Sequence, residues 1–291
     1  MRIWFHGAVR LGVITAFLLA MVTVMPAASM AEKFGPVKAM KVDAKKAALG
    51  KRLFFDPRLS GDAAIRCSTC HIPEKGFSDG LALSKAYPGT KHFRNAPTLI
   101  NSLFKSGFSD TGWGWSGHMG SNMNDVVRDQ ITETMIMNMD MRIMHERMKQ
   151  DPVYVAMCQE NFGGECSSGK ARKALVAFVE SLVSIDAPFD TGNLSAHAQR
   201  GRELFEGKAG CISCHNGAYF SDGEPHNTGV PENMEIFKDP MRHLTYRSVI
   251  HTHGVPKMGV WRRDVGYFEV SKNYGDVGKF VTPTLRELNY T

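Results

Sequence analysis

Apolar positions along this 291-residue chain recur mainly at helical spacing, and few runs alternate as strands do. Asp43 stands at the N-cap of a predicted helix running to Leu53. Ala171, Leu175, Phe178, Val179 and Leu182 fall on one face of a second, and Ser195 caps a third ending near Gly207. Eight methionines lie between Met119 and Met148. Four of them, Met137, Met141, Met144 and Met148, share one helical face, which predicts an adaptable apolar surface rather than a thioether metal site. Pro188 to Gly192 breaks the pattern, and the boundary between domains 32–187 and 188–291 is placed there.

One apolar run, Leu11 to Val24, is of another kind. Arg2 and Arg10 flank its start, and the small residues Ser29 and Ala31 follow at the spacing a signal peptidase reads. Residues 1–31 therefore read as a secretory signal peptide, with an uncleaved anchor as the alternative, and the expected location is the periplasm. Without Arg2 and Arg10 the formal charge falls from +6 to +4. No Lys/Arg cluster is dense enough for nucleic acid, so the excess reads as a solvated surface or a docking face for an acidic electron carrier.

The chain repeats itself. Gly50-Lys51-Arg52-Leu53-Phe54 matches Gly201-Arg202-Glu203-Leu204-Phe205. Gly76-Phe77-Ser78-Asp79-Gly80 matches Tyr219-Phe220-Ser221-Asp222-Gly223, and Ala96-Pro97-Thr98-Leu99 matches Thr282-Pro283-Thr284-Leu285. Between the first two landmarks of each copy lies Cys-x-x-Cys-His, as Cys67-Ser68-Thr69-Cys70-His71 and as Cys211-Ile212-Ser213-Cys214-His215. Four landmarks in one order imply internal duplication. The first copy continues for almost ninety residues past its Pro-Thr-Leu and the second for six, so the C-terminus reads as truncated, or as a naturally shortened domain.

Two thiols that reach the vinyl groups of one porphyrin, followed at once by a histidine that turns under the ring to bind iron, are what covalent haem c attachment needs. The competing thioredoxin-like and zinc readings explain neither the immediate histidine in both copies nor the export signal. The remaining Cys158 and Cys166, across Gly163 and Gly164, read as a disulfide, or else as two free buried thiols. No motif names the sixth iron ligands. Tyr87, His92, His118 and Met119 are candidates at the first haem; His226, Met234, Met241, His243, His251, His253 and Met258, or a residue lost with an expected missing C-terminus, are candidates at the second.

The stretch Ala48 to Ser60, both haem motifs, Arg94-Asn95-Ala96-Pro97-Thr98-Leu99, Pro188-Phe189-Asp190 and Pro283-Thr284-Leu285-Arg286 together resemble the bacterial di-haem cytochrome c peroxidases and their MauG-type relatives. The resemblance implies a mainly α fold of two cytochrome c-like domains, an N-terminal peroxidatic one and a C-terminal electron-transfer one. It also implies two covalent haems c, through Cys67, Cys70 and His71 and through Cys211, Cys214 and His215, and one calcium ion, for which Asn95 and the Thr291 carbonyl match ligands. Tyr87 matches the place of a histidine that ligates the first haem in some peroxidases, with His92 as the alternative register; Tyr87 there implies an open first iron. Trp115, in Trp115-Ser116-Gly117-His118, matches an inter-haem tryptophan whose Asp and Arg neighbours are absent here, and Trp113 is the alternative. Gln130 matches a glutamine on the peroxide side. The family's acid/base carboxylate matches Glu133 by nearness and Asp140 by distance from Gln130.

The expected function is a periplasmic haem peroxidase reducing hydrogen peroxide with electrons from a small cytochrome c or cupredoxin. The alternatives are a MauG-like enzyme that oxidises Trp or Tyr of a partner protein, and a non-enzymatic di-haem electron carrier. The resemblance also makes a homodimer an expectation.

Overall fold

Asp43 opens the fold as an N-cap, its carboxylate accepting the Lys46 amide at 3.1 Å. The computed structural model describes residues 41–105 and 111–290, so the expected signal peptide and Thr291 lie outside the described residues. Its helices are α1 (Ala44–Phe54), α2 (Cys67–Cys70), α3 (Met123–Thr132), α4 (Met141–Lys149), α5 (Pro152–Phe162) and α6 (Ser168–Glu180), then α7 (Ala196–Glu206), α8 (Glu235–Lys238), α9 (Pro240–Thr252) and α10 (Phe268–Ser271). Strands β1 (Pro225–His226) and β2 (Phe280–Val281) pair antiparallel, with Pro225 opposite Val281. The expectation of a mainly α chain holds. None of the described helices is long and apolar enough to cross a membrane.

α1 and α6 form the spine of the first core. Leu49, Leu53 and Phe54 meet Ala171, Ala174, Leu175 and Phe178, and Gly50 lets the backbones approach so closely that a Cβ there would come 1.9 Å from the Ala174 carbonyl. Each buried large apolar side chain contributes about 1.5–3 kcal/mol. Of the expected methionine face Met137, Met144 and Met148 are buried and Met141 is half-buried, but they do not lie on one helix. Asp140 caps α4 by accepting the Arg142 amide, so Met137 and Met139 sit in the turn before it while Met144 and Met148 sit within it. A short polar side chain that bonds its own backbone competes with helix continuation, which is why the periodicity overran the helix. Cys158 and Cys166 form the expected disulfide at the end of α5.

A second core gathers Phe93, Ile236, Tyr246, Ile250, Val255, Val265 and Phe268. The segment between the second haem motif and Pro283 thus packs on Phe93. Val281 extends that contact by donating its amide to the Trp115 carbonyl at 2.8 Å.

Candidate active site

The two Cys-x-x-Cys-His segments reach nearly the same local geometry from different surroundings. Each histidine amide bonds the carbonyl of the first cysteine at 2.9 Å, closing a tight turn with both thiols on it. His71 Nδ1 lies 2.9 Å from the Phe77 carbonyl, and His215 Nδ1 lies 3.0 Å from the Phe220 carbonyl. A carbonyl only accepts, so each Nδ1 carries the hydrogen and each Nε2 keeps its lone pair for a metal. Both phenylalanines have left-handed backbones, with φ of 58° and 55°. That strained conformation turns each carbonyl toward its ring. Behind them, Thr98 Oγ1 donates to Gly76 O and Thr284 Oγ1 to Tyr219 O, both at 2.6 Å.

These residues fit a covalently held haem. Burial pushes the Cys67 thiol up to about 12 and Cys70 to about 11, which makes them poor thiolate ligands for zinc or partners in thiol exchange. Burial also lowers His71, favouring the neutral ring an iron ligand must be. Beside them opens a cavity of about 210 Å³, measured as space for the centre of a water molecule. Its wall is largely apolar, with Phe54, Ile65, Leu99, Val126, Ile131, Met135, Leu175 and Val179 among the lining. A few polar groups interrupt it, chiefly His92, Arg94, Asn95, His118 and Gln130. An apolar hollow with few polar groups, next to two thiols and a histidine, is what a porphyrin requires. In the second half, Cys214 Sγ, an Asp222 carboxylate oxygen and a His226 ring nitrogen lie within 4.8 Å of one another, and His226 Nε2 is 2.8 Å from Asp222.

Arg94 fixes the far side of the cavity. Its guanidinium clamps Asp264 through Nε at 2.8 Å and Nη2 at 2.7 Å, and Nη1 reaches Ser116 Oγ at 2.7 Å and Glu269 Oε1 at 2.8 Å. Burial alone would raise the Glu269 carboxyl, but Arg94, His253, His118 and Ser116 outweigh it and hold the group below the ordinary carboxylate range. In the same way Asp264 and Glu269 outweigh burial at Arg94 and raise it further. A buried guanidinium between two carboxylates meets the pairing condition that makes such burial tolerable.

The sequence-predicted residues are distributed unevenly about this hollow. Trp115 lines it and donates its indole N–H to the Asn95 carbonyl at 2.9 Å. Gln130 lines it from α3, its amide 3.1 Å from Met119 Sδ, and His92, His118 and Met119 line it as well. Trp113 is turned elsewhere, buried and under the Lys105 ammonium. Tyr87 is not among the lining residues; its hydroxyl accepts the Asp62 amide at 3.1 Å. Glu133 ends α3, its carboxylate 3.4 Å from the Met135 amide, and Asp140 is occupied by Arg142; neither lines the cavity. Two stretches that carried the resemblance meet elsewhere: Arg286 grips Asp190 with two contacts of 2.9 Å. The partners of Arg94 escaped sequence reasoning. Asp264 and Glu269 lie 170 and 175 positions away, and no local pattern marks them.

Comparison with known proteins agrees with this geometry. The family model described as di-haem cytochrome c peroxidase matches residues 44–199. The chain is 45% identical over 276 residues to a cytochrome-c peroxidase, IdrP2, of Denitromonas iodatirespirans, covering 92% of this chain and 74% of that protein. It is 38% identical over 207 residues to the methylamine utilization protein MauG of Methylorubrum extorquens, covering 68% of this chain and 57% of that one. Among solved structures it is similar to a MauG-like protein associated with microbial copper homeostasis, with a TM-score of 0.69 at 24% identity over 88% of this chain and 74% of that one. The diheme peroxidase BthA of Burkholderia thailandensis gives 0.63 at 22% identity, covering 88% and 69%.

Proposed function

This chain belongs to the di-haem cytochrome c peroxidase family, and from that premise we propose that it reduces hydrogen peroxide with electrons from a small redox protein. The observation that carries the reading is the asymmetry between two matching histidine turns. His71 faces an apolar cavity with a sparse set of polar groups, as a substrate site would need. Haem bound through His71 and His215 would supply the redox chemistry. The protein's own contribution is to hold both imidazoles in one tautomer through the Phe77 and Phe220 carbonyls. Its apolar wall also keeps bulk water from the reacting oxygen atoms.

We assign Trp115 as the relay between the halves, because its indole borders the cavity while its carbonyl holds Val281. Gln130 is assigned to orient peroxide from α3. The matching His–Phe and Thr–carbonyl bonds support duplication of one ancestral haem domain, with the boundary at Pro188 to Gly192. Calcium at Asn95, a cytochrome c or cupredoxin donor, and periplasmic residence behind a cleaved leader complete the reading.

The test is the optical and EPR spectrum of the ferric protein before and after one equivalent of hydrogen peroxide. A signal that peroxide alters, with turnover when a reduced cytochrome is added, is the expected result. Two low-spin haems inert to peroxide in every redox state would leave an electron carrier. One observation favours MauG-like chemistry as a second reading: Tyr87 spends its hydroxyl on Asp62 instead of the cavity, consistent with an open first iron. Peroxide bleaching without prior reduction, followed by oxidation of a partner protein's Trp or Tyr, would identify it.

A further inference from the structure

His118 lines the cavity together with Gln130, its side chain 23% exposed. Its Nδ1 lies 2.9 Å from Ser116 Oγ, and Ser116 in turn contacts both Arg94 Nη1 and Glu269 Oε1. Arg94 only donates, and ionised Glu269 only accepts. Ser116 therefore gives its hydrogen to Glu269, takes one from Arg94, and takes a second from His118 Nδ1–H. That leaves the His118 Nε2 lone pair free, and no described residue hydrogen-bonds that atom.

The groups facing His118 are Glu269, Arg94, His253 and His92. On the other side of the carboxylate, Glu269 Oε2 lies 3.0 Å from His253 Nδ1. His253 is 27% exposed, its ring centre is 5.0 Å from that of His118, and Lys272 donates to the backbone carbonyls of both His253 and Glu269. A fully buried carboxylate thus sits between a histidine on the cavity wall and a histidine that reaches solvent.

We propose that His118 is the proton-transfer residue of the cavity, with Ser116 and Glu269 as its positioning residues and His253 as the group that holds Glu269 from its solvent-facing side. The proposal rests on the peroxidase reading and deepens it. His118 Nε2 takes the proton from one oxygen of hydrogen peroxide and returns it to the other. The O–O bond breaks, its electron pair goes with the second oxygen, and that oxygen leaves as water. The first oxygen becomes the second water with two electrons from the small redox protein and two protons from solvent. Glu269 stabilises the imidazolium form at each transfer, as a buried carboxylate does for a catalytic histidine.

The test uses the di-haem protein with His118→Ala, His118→Gln and His253→Ala. Peroxide reaction is followed by stopped flow, and cyanide association is followed alongside as a readout independent of turnover, because hydrogen cyanide must also lose a proton to bind. His118→Ala and His118→Gln are expected to slow both reactions by at least about 100-fold. Added imidazole should restore the alanine variant but not the glutamine one. His253→Ala should slow turnover severalfold with an unchanged ferric spectrum. Rates within about twofold of wild type in His118→Ala would overturn the proposal alone. So would a loss that imidazole does not restore, or a change in iron coordination that makes His118 a ligand. A wild-type protein that never consumes peroxide would overturn the proposal together with the function it rests on.

Discussion

The helices preceding the two haem motifs carry nearly the same short pattern and meet opposite fates. In α1, Leu53 is fully buried, Phe54 nearly so, and Gly50 is pressed against Ala174. In α7 no residue is buried, Leu204 is 54% exposed, and a Cβ on Gly201 would meet nothing among the described residues. Yet His71 and His215 are oriented by the same bond to a left-handed phenylalanine. The haem-binding turn is therefore a local structure, specified within about ten residues, whereas the cavity beside it is a tertiary one.

The largest effect that would sharpen this comparison comes from removing one haem at a time. Cys67→Ser with Cys70→Ser should abolish peroxide consumption, by at least about 1,000-fold, measured against haem content. The matching change at Cys211 and Cys214 should spare the optical response of the first haem to peroxide while stopping turnover with a donor. Next is the buried Arg286–Asp190 pair, which secures the second turn. Asp190→Asn should cost about 3–5 kcal/mol by denaturant titration, since it strands a guanidinium that is 6% exposed. Gly50→Ala should cost about 3 kcal/mol through its clash with Ala174, whereas Gly201→Ala should be neutral or stabilise by about 0.5–1 kcal/mol. Equal responses at the two glycines would break the comparison.

Acid should act on the first half through its buried histidines. His92 and His118 are held by burial at about 4, against an ordinary value of 6.5. Between those values the unfolded chain binds protons that the folded one refuses. Stability is therefore full above pH 6.5 and falls as pH drops toward 4, by about 3 kcal/mol per histidine. Thermal melts across that window should show a shallower fall in His118→Gln.

Local signals were legible in the sequence where the physics is local. Asp43 and Ser195 cap the helices they were expected to cap, and the face from Ala171 to Val179 is buried as its spacing implies. The spacing failed at Asp140, where a cap outcompeted continuation of the methionine face. At the site, cysteines and histidines declared themselves by their motif. Ser116, Asp264 and Glu269 did not, because an isolated carboxylate reads as solvated unless its distant guanidinium is known. Glu133 illustrates the converse: nearness in sequence to Gln130 does not bring it to the wall, since the last turn of α3 carries it away.

The clamp of Arg94 on Asp264 and Glu269 also bears on how the molecule is put together. Contacts across 170 residues are late contacts, since the entropy of closing so long a loop must be met before they form, and a chain emerging from its N-terminus offers the carboxylates last. Until then Cys67, Cys70 and His71 sit on a turn that needs only its own neighbours. The wall held by residues 264 and 269 is thus the part of the cavity that closes last, after the turn that carries the thiols.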